Sequence, residues 1–312
     1  MCNNNPIFSR MYESGTRILD KYVLRHCIGS GAFGEVWNAD SVSTGQSVAV
    51  KMERIQGNPA PTLQYESRVL QLLHGLLGIP RLRYFGRKDN MNGIFMVTDL
   101  LGQSLETVAI SPRLDLNAHD LQNPPPQHET FITAIGHQML QRLRSVHSRG
   151  MLHRDVKPDN FLFARNPELD LSRRAAQEPI PLLYLIDFGM AKRITPILSK
   201  QEGLRDVPIP RSPLIGSARY ASVFAHRGEP LGRRDDLISM MYSLIYVACG
   251  GALPWMNHEE REIYYIKDNM TPSEICAGLS QRHATQWPAI LEQLHCMHVR
   301  DVPDYAVIES LI

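Results

Sequence analysis

Apolar residues recur along this chain at two spacings, and the change from one to the other divides it. Strand-like alternation prevails in the first hundred residues, where Val48-Ala49-Val50-Lys51 places Ala49 and Lys51 on one face. A single helix is expected among these strands, from about Thr62 to Leu73, with Leu63, Leu70 and Leu73 on a face that also carries Glu66. After about residue 130 helical spacing takes over, and Ile132, Ile135, Met139, Leu143 and Val146 form a stripe that ends at Gly150. Strands followed by helices predict an α+β, bilobal fold with a small β-rich lobe and a larger, mainly α-helical one. The expected boundaries are an N-terminal extension over 1–21, a first lobe over 22–99 and a second over 100–312, joined near residues 99–102.

Breaks in the pattern mark loops. Pro112 and the run Pro124-Pro125-Pro126 place a surface insertion near 111–128, and Pro167, Pro179 and Pro181 place another near 164–181. From Leu237 to Trp255 no residue is charged, which resembles a membrane span. Ser239, Ser243, Gly250, Gly251 and the closing Pro254 shorten it, and a helix buried inside a large lobe is the expectation instead.

Composition narrows the classes of function. With 33 basic against 32 acidic residues the net charge is +1, so neither nucleic acid nor a membrane is expected as a partner. Separately from the charge, a monomer is expected. Five scattered cysteines fit neither a disulfide framework nor a zinc site and point to a reducing compartment, the cytoplasm with the nucleus open. The chain starts without an apolar leader and without a glycine after Met1, so neither export nor lipid anchoring is expected.

Three short constellations carry chemistry. In His153-Arg154-Asp155-Val156-Lys157-Pro158-Asp159-Asn160 the spacing suits phosphoryl transfer. Asp155 can orient a hydroxyl nucleophile, Lys157 can meet the moving phosphate, and Asn160 can hold a metal ion. His153 and Arg154 read as braces of that loop. Asp187-Phe188-Gly189 follows an apolar strand-like run from Leu182 to Ile186 and offers a metal-binding carboxylate. Gly29-Ser30-Gly31-Ala32-Phe33-Gly34 fits GxGxxG, a weak pattern by itself. The run Glu35 to Ala39 and a turn at Ser43-Thr44-Gly45 leave no room for the helix a dinucleotide site needs. Two strands joined by a glycine loop can instead cover a triphosphate with backbone N–H groups. Lys51, inward under that loop, needs an anion, and Glu66 among leucines needs a cation, so the two are expected to pair.

Taken in order, Gly29, Gly31, Gly34, Lys51, Glu66, Asp155, Asn160 and Asp187 resemble the motifs of the eukaryotic protein kinase family, from about Tyr22 to Tyr305. Lys157 in His-Arg-Asp-x-Lys resembles its serine/threonine branch. Leu100-Leu101-Gly102-Gln103-Ser104-Leu105-Glu106, Gly216-Ser217-Ala218-Arg219-Tyr220-Ala221-Ser222, Arg233-Arg234-Asp235-Asp236-Leu237, Leu253-Pro254-Trp255 and Pro303-Asp304-Tyr305 are similar to casein kinase I within it. The resemblance implies ATP and Mg²⁺ as cofactors, with Asn160 and Asp187 on the metal, and protein substrates phosphorylated on Ser or Thr, in acidic contexts. It implies a nucleotide site of Ile28, Gly29, Ser30, Gly31, Gly34, Val36, Ala49 and Lys51. Asp99 and Leu101 would present backbone to adenine, Thr98 would be the gatekeeper, and Leu162 and Ile186 would pack beneath the base. It also implies that Asp236 braces the catalytic loop and that Arg219 binds an anion of the substrate. One departure concerns that last role: where the family is basic after Leu-Pro-Trp, residues 256–270 set Glu259, Glu260 and Glu262 against Arg261 and Lys267. A preference for already phosphorylated substrates is therefore not expected.

Overall fold

The structure is a computed structural model; it describes residues 12–31, 34–54, 62–88, 93–110, 126–165, 180–194 and 213–312. Ala32 and Phe33 of the glycine loop, residues 1–11 of the extension, and 111–125 and 166–179 of the two insertions lie outside the described residues. The chain forms two compact units, one of residues up to Leu101 together with Asp187–Gly189, the other of Gly102–Ile186 and Met190–Ile312. The first is β-rich and the second mainly helical, as the spacing of apolar residues implies.

The first unit is built on one antiparallel sheet in the order β1 (Arg17–Ile18), β2 (Tyr22–Gly31), β3 (Gly34–Ser41), β4 (Ser47–Arg54), β6 (Gly93–Asp99) and β5 (Leu82–Lys88). Ile18, Leu24, Trp37, Ala39, Val48, Val50, Met52, Phe95 and Val97 form a core on one face. Each fully buried side chain of this kind contributes roughly 1.5–3 kcal/mol. Because Val48, Val50 and Met52 point into that core, alternation sends Ala49 and Lys51 to the opposite face. Helix α1 (Thr62–Leu72) buries Leu63, Glu66, Val69 and Leu70. Its first N–H groups are satisfied from a strand: Thr62 N and Leu63 N donate to the Glu53 carboxylate at 3.2 and 2.8 Å.

In the second unit come α2 (Leu105–Ala109), α3 (Pro126–Ser148), β7 (Met151–Leu152), β8 (Phe161–Phe163), β9 (Leu183–Leu185) and β10 (Lys192–Arg193). They are followed by α4 (Val223–His226), α5 (Arg233–Ala248), α6 (Glu260–Asn269), α7 (Pro272–Ile275), α8 (Gln281–Cys296) and α9 (Tyr305–Leu311). The core is α5, buried on every side from Arg234 to Ala248, with α3 and α8 packed against it. From Leu237 onward this helix forms the first part of the uncharged run, and among the described residues no helix is long and apolar enough to cross a membrane. The five stripe residues of α3 are all fully buried. That helix ends at Gly150, whose φ of 72° suits glycine, and the chain turns into β7, paired with β10, and the loop that carries Asp155. Strands β8 and β9 pair beside it, and Ile186 N donates to Asn160 O at 2.9 Å.

Candidate active site

In the first unit Lys51 Nζ meets Glu66 Oε2 at 2.7 Å and Asp187 Oδ1 at 3.0 Å. Glu66 is only 3 % exposed, on the apolar face of α1. Burial pulls the Lys51 ammonium down, but Glu66 and Asp187 outweigh it and hold it above its ordinary value. Burial also pushes the Glu66 carboxyl up, against the pull of Lys51. A cation 2.7 and 3.0 Å from two carboxylates decides the matter in favour of an ion pair. Asp187 has a left-handed backbone, φ 62°. A non-glycine residue there stores about 1–3 kcal/mol of strain, which persists where the surroundings impose it.

The glycines lie on an antiparallel hairpin, with Gly29 opposite Val36, Ser30 opposite Glu35 and Gly31 opposite Gly34. A strand follows instead of a helix, which removes the dinucleotide alternative. Gly34 is required: a Cβ on it would stand 1.8 Å from Met52 O, at φ 130°. Val36 pairs with Gly29 on one side and Lys51 on the other, so one row crosses β2, β3 and β4 from glycine loop to lysine. Ala49 stands opposite Thr98, and Val48 opposite Asp99. The Asp99 carboxylate accepts from Arg83 Nε at 2.8 Å and Arg81 N at 2.9 Å, so its side chain is engaged within this unit. Ile28 is exposed at the base of the loop, and Leu101 closes this unit.

The second unit gathers the other set. Lys157 Nζ donates to Asp155 Oδ2 at 2.8 Å and to Ser217 Oγ at 3.1 Å. Ser217 in turn donates to Asp155 Oδ1 from its N–H at 3.0 Å and from its hydroxyl at 3.1 Å. Asn160 Nδ2 donates to Asp155 O at 2.8 Å, which ties the far end of the loop to the aspartate's own backbone. Gly216 makes this approach possible, because a Cβ there would lie 2.6 Å from Arg154 O, at φ 85°.

The loop itself is anchored from α5. Asp236 Oδ2 accepts the His153 N–H at 2.8 Å and Oδ1 accepts the Arg154 N–H at 2.8 Å. His147 Nε2 donates to the same carboxylate at 2.9 Å. Burial alone would push this carboxyl up, but the His147 hydrogen bond and the neighbouring imidazoles and N–H groups hold it below its ordinary value. Arg154, the residue fixed by Oδ1, has φ 68°, so strained backbone directly precedes Asp155. His153 Nε2 bonds Ile186 O and Arg154 Nε donates to Met190 O, which makes both side chains braces. Leu162 pairs with Tyr184 in the β8–β9 hairpin, next to Asn160.

Arg219 is half-buried, its guanidinium over the Tyr220 ring at 5.9 Å. It lies within electrostatic reach of Glu106, which accepts from Tyr246 at 2.8 Å. The segment 218–221 is held by its carbonyls: Lys267 Nζ donates to Ala218 O at 2.8 Å and Ala221 O at 2.7 Å, and Trp255 Nε1 to Arg219 O at 2.8 Å. Lys267 is 2 % exposed, with its ammonium 4.9 Å from the Tyr242 ring and 4.8 Å from that of Trp255. It is therefore no surface counter-charge to Glu259, Glu260 and Glu262, as a reading of charges along 256–270 implies, and this face is more acidic than that reading.

The profile of the protein kinase domain matches residues 22–298. The chain belongs to the protein kinase family. As a protein kinase it is a phosphotransferase that uses ATP and a divalent metal on protein substrates. Four further positions hold the two sets of residues in place without having stood out in the sequence. Ser217 and Lys267 lie in segments that the sequence singles out, but nothing local distinguishes a serine that bonds both Asp155 and Lys157 or a lysine that is buried. His147 sits on the flank of the α3 stripe, and Tyr305 reaches it across 158 residues.

Proposed function

We propose that this kinase transfers the γ-phosphoryl group of Mg-ATP to serine and threonine hydroxyls of proteins, in acidic contexts, as a member of the casein kinase I group with lobes over 22–99 and 100–312. One observation carries the serine/threonine reading: Lys157 bonds both Asp155 and Ser217, placing a cation beside the carboxylate that is to receive the hydroxyl. Asp155 orients that hydroxyl and accepts its proton as the oxygen attacks phosphorus. Lys157 offsets charge on the transferring group. The glycine hairpin offers N–H groups to the phosphates, and Lys51, fixed by Glu66, meets them as a cation. Thr98, Asp99, Leu101, Leu162 and Ile186, with Ile28, Val36 and Ala49, are the proposed surroundings of adenine.

Asn160 spends its amide N–H on Asp155 O, so what it can offer a cation is its carbonyl oxygen. Asp187 adds a carboxylate, and hard oxygen donors of this kind fit Mg²⁺. Among the described residues no cluster of three or more His, Cys, Asp or Glu could hold a metal ion. Mg²⁺ held by these residues would neutralise charge on the phosphates. A purely scaffolding role is not favoured, because Lys51, Asp155 and Asp187 are all present and the first and last are joined. The test is transfer from labelled Mg-ATP to a panel of unprimed acidic, phospho-primed and neutral peptides. Phosphoserine and phosphothreonine are expected, with primed peptide favoured by less than about tenfold, or 1.4 kcal/mol. Phosphotyrosine as the main product would overturn the reading.

A further inference from the structure

The Pro303-Asp304-Tyr305 motif has no part in the chemistry above, yet its tyrosine reaches the anchor of the catalytic loop. Tyr305 Oη lies 2.6 Å from His147 Nδ1. The other ring nitrogen of His147 faces Asp236, a carboxylate that can only accept. Nε2 therefore carries the proton, and in the neutral ring Nδ1 is an acceptor to which the tyrosine hydroxyl donates.

A continuous series of hydrogen bonds results, from Tyr305 through His147 to Asp236, and from Asp236 to the N–H groups of His153 and Arg154. It ends on the left-handed residue before Asp155. The outer end is held firmly. Asp304 Oδ1 accepts Ala306 N and Val307 N, both at 3.1 Å, at the start of α9. Ile308 and Ile312 are fully buried, and His137 Nε2 bonds Glu309 O at 3.1 Å, tying α9 to α3. The Tyr305 ring lies beside that of His147, centroids 6.1 Å apart, with the Arg144 guanidinium 5.9 Å from its centre.

We propose that Tyr305 is a positioning residue for phosphoryl transfer: its hydroxyl holds the His147 ring, and through Asp236 the strained backbone that aims Asp155. A hydroxyl on a rigid helix is suited to this, since small displacements of a reacting group are expensive in rate. The role rests on Asp155 being the base, so the experiment contains a readout independent of turnover.

Tyr305→Phe in the full chain keeps the ring and removes only the donor. It should lower kcat about fivefold, the kinetic equivalent of one hydrogen bond, with both KM values unchanged within about twofold. Amide exchange of the segment 152–156 should accelerate in the variant. In a His147→Gln background the same change should have almost no effect, because the two act in series. Unchanged kcat and exchange, or an equal loss in the His147→Gln background, would overturn the proposal. If exchange accelerates but Asp155→Asn retains full activity, the relay stands and the assignment of the base fails instead.

Discussion

The two functional sets are held by different physics. In the first unit charges hold charges: Lys51 stands between Glu66 and Asp187, and the row from Gly29 to Lys51 crosses a sheet whose register fixes it. In the second unit backbone is held by buried polar side chains: Asp236 takes two N–H groups of the loop, Lys267 takes two carbonyls of the segment after Ser217, and Asp155 is bonded from Ser217 and Lys157. Grasping a nucleotide's phosphates calls for cations on a scaffold. Aiming a single carboxylate at a hydroxyl, the role proposed for Asp155, calls for a rigid main chain, and Arg154 directly before it has left-handed backbone.

The largest effects should separate the two sets by signature. Lys51→Met and Asp155→Asn should each lower kcat/KM by about a thousandfold or more, roughly 4 kcal/mol in transition-state terms. Only Lys51→Met should also weaken binding of a non-hydrolysable ATP analogue, measured by calorimetry. Equal weakening by both would break the division of labour.

Asp236→Asn should come next. It removes a charge that serves His147 and two N–H groups together, so about 3 kcal/mol of stability is expected to go, with a fall of about a hundredfold in kcat. Thermal unfolding and initial rates check both parts, and a stable variant with full kcat would deny that the loop is aimed from α5.

Lys267→Met is expected to be milder, about 1–3 kcal/mol, since it leaves two carbonyls short of a donor. KM for protein substrate should rise while KM for ATP stays constant. Burial pulls the Lys267 ammonium well below its ordinary value of 10.5. Between its folded and unfolded values the unfolded chain binds the extra proton, so stability from this residue rises with pH. The gap in Tm between wild type and variant should widen from about pH 8 to about pH 10; a constant gap would contradict this.

The same contrast explains what was legible. The β-rich and helical parts followed from apolar spacing, and Lys51 with Glu66 followed because a charge on an apolar face demands a partner. The buried α5 could be told from a membrane span by its serines and by the glycines and proline that follow it. Ser217, Lys267, His147 and Tyr305 gave no such signal. Their bonds run to main-chain carbonyls, to carboxylates or to a ring, with partners 46 to 158 residues away, where no local rule of spacing or charge applies. Lys267 even misleads, since a lysine in an acidic stretch reads as a surface residue.

The central claim is that Asp155, aimed by the second unit, accepts the proton of a serine or threonine hydroxyl while the first unit holds the phosphates. Labelled Mg-ATP, a peptide mixture containing Ser, Thr and Tyr acceptors, and wild type beside Asp155→Asn test it in one experiment. Phosphoserine and phosphothreonine formed by wild type, and lost in a variant that still binds the ATP analogue, is the result predicted. Phosphotyrosine from wild type, or undiminished transfer by Asp155→Asn, would contradict it.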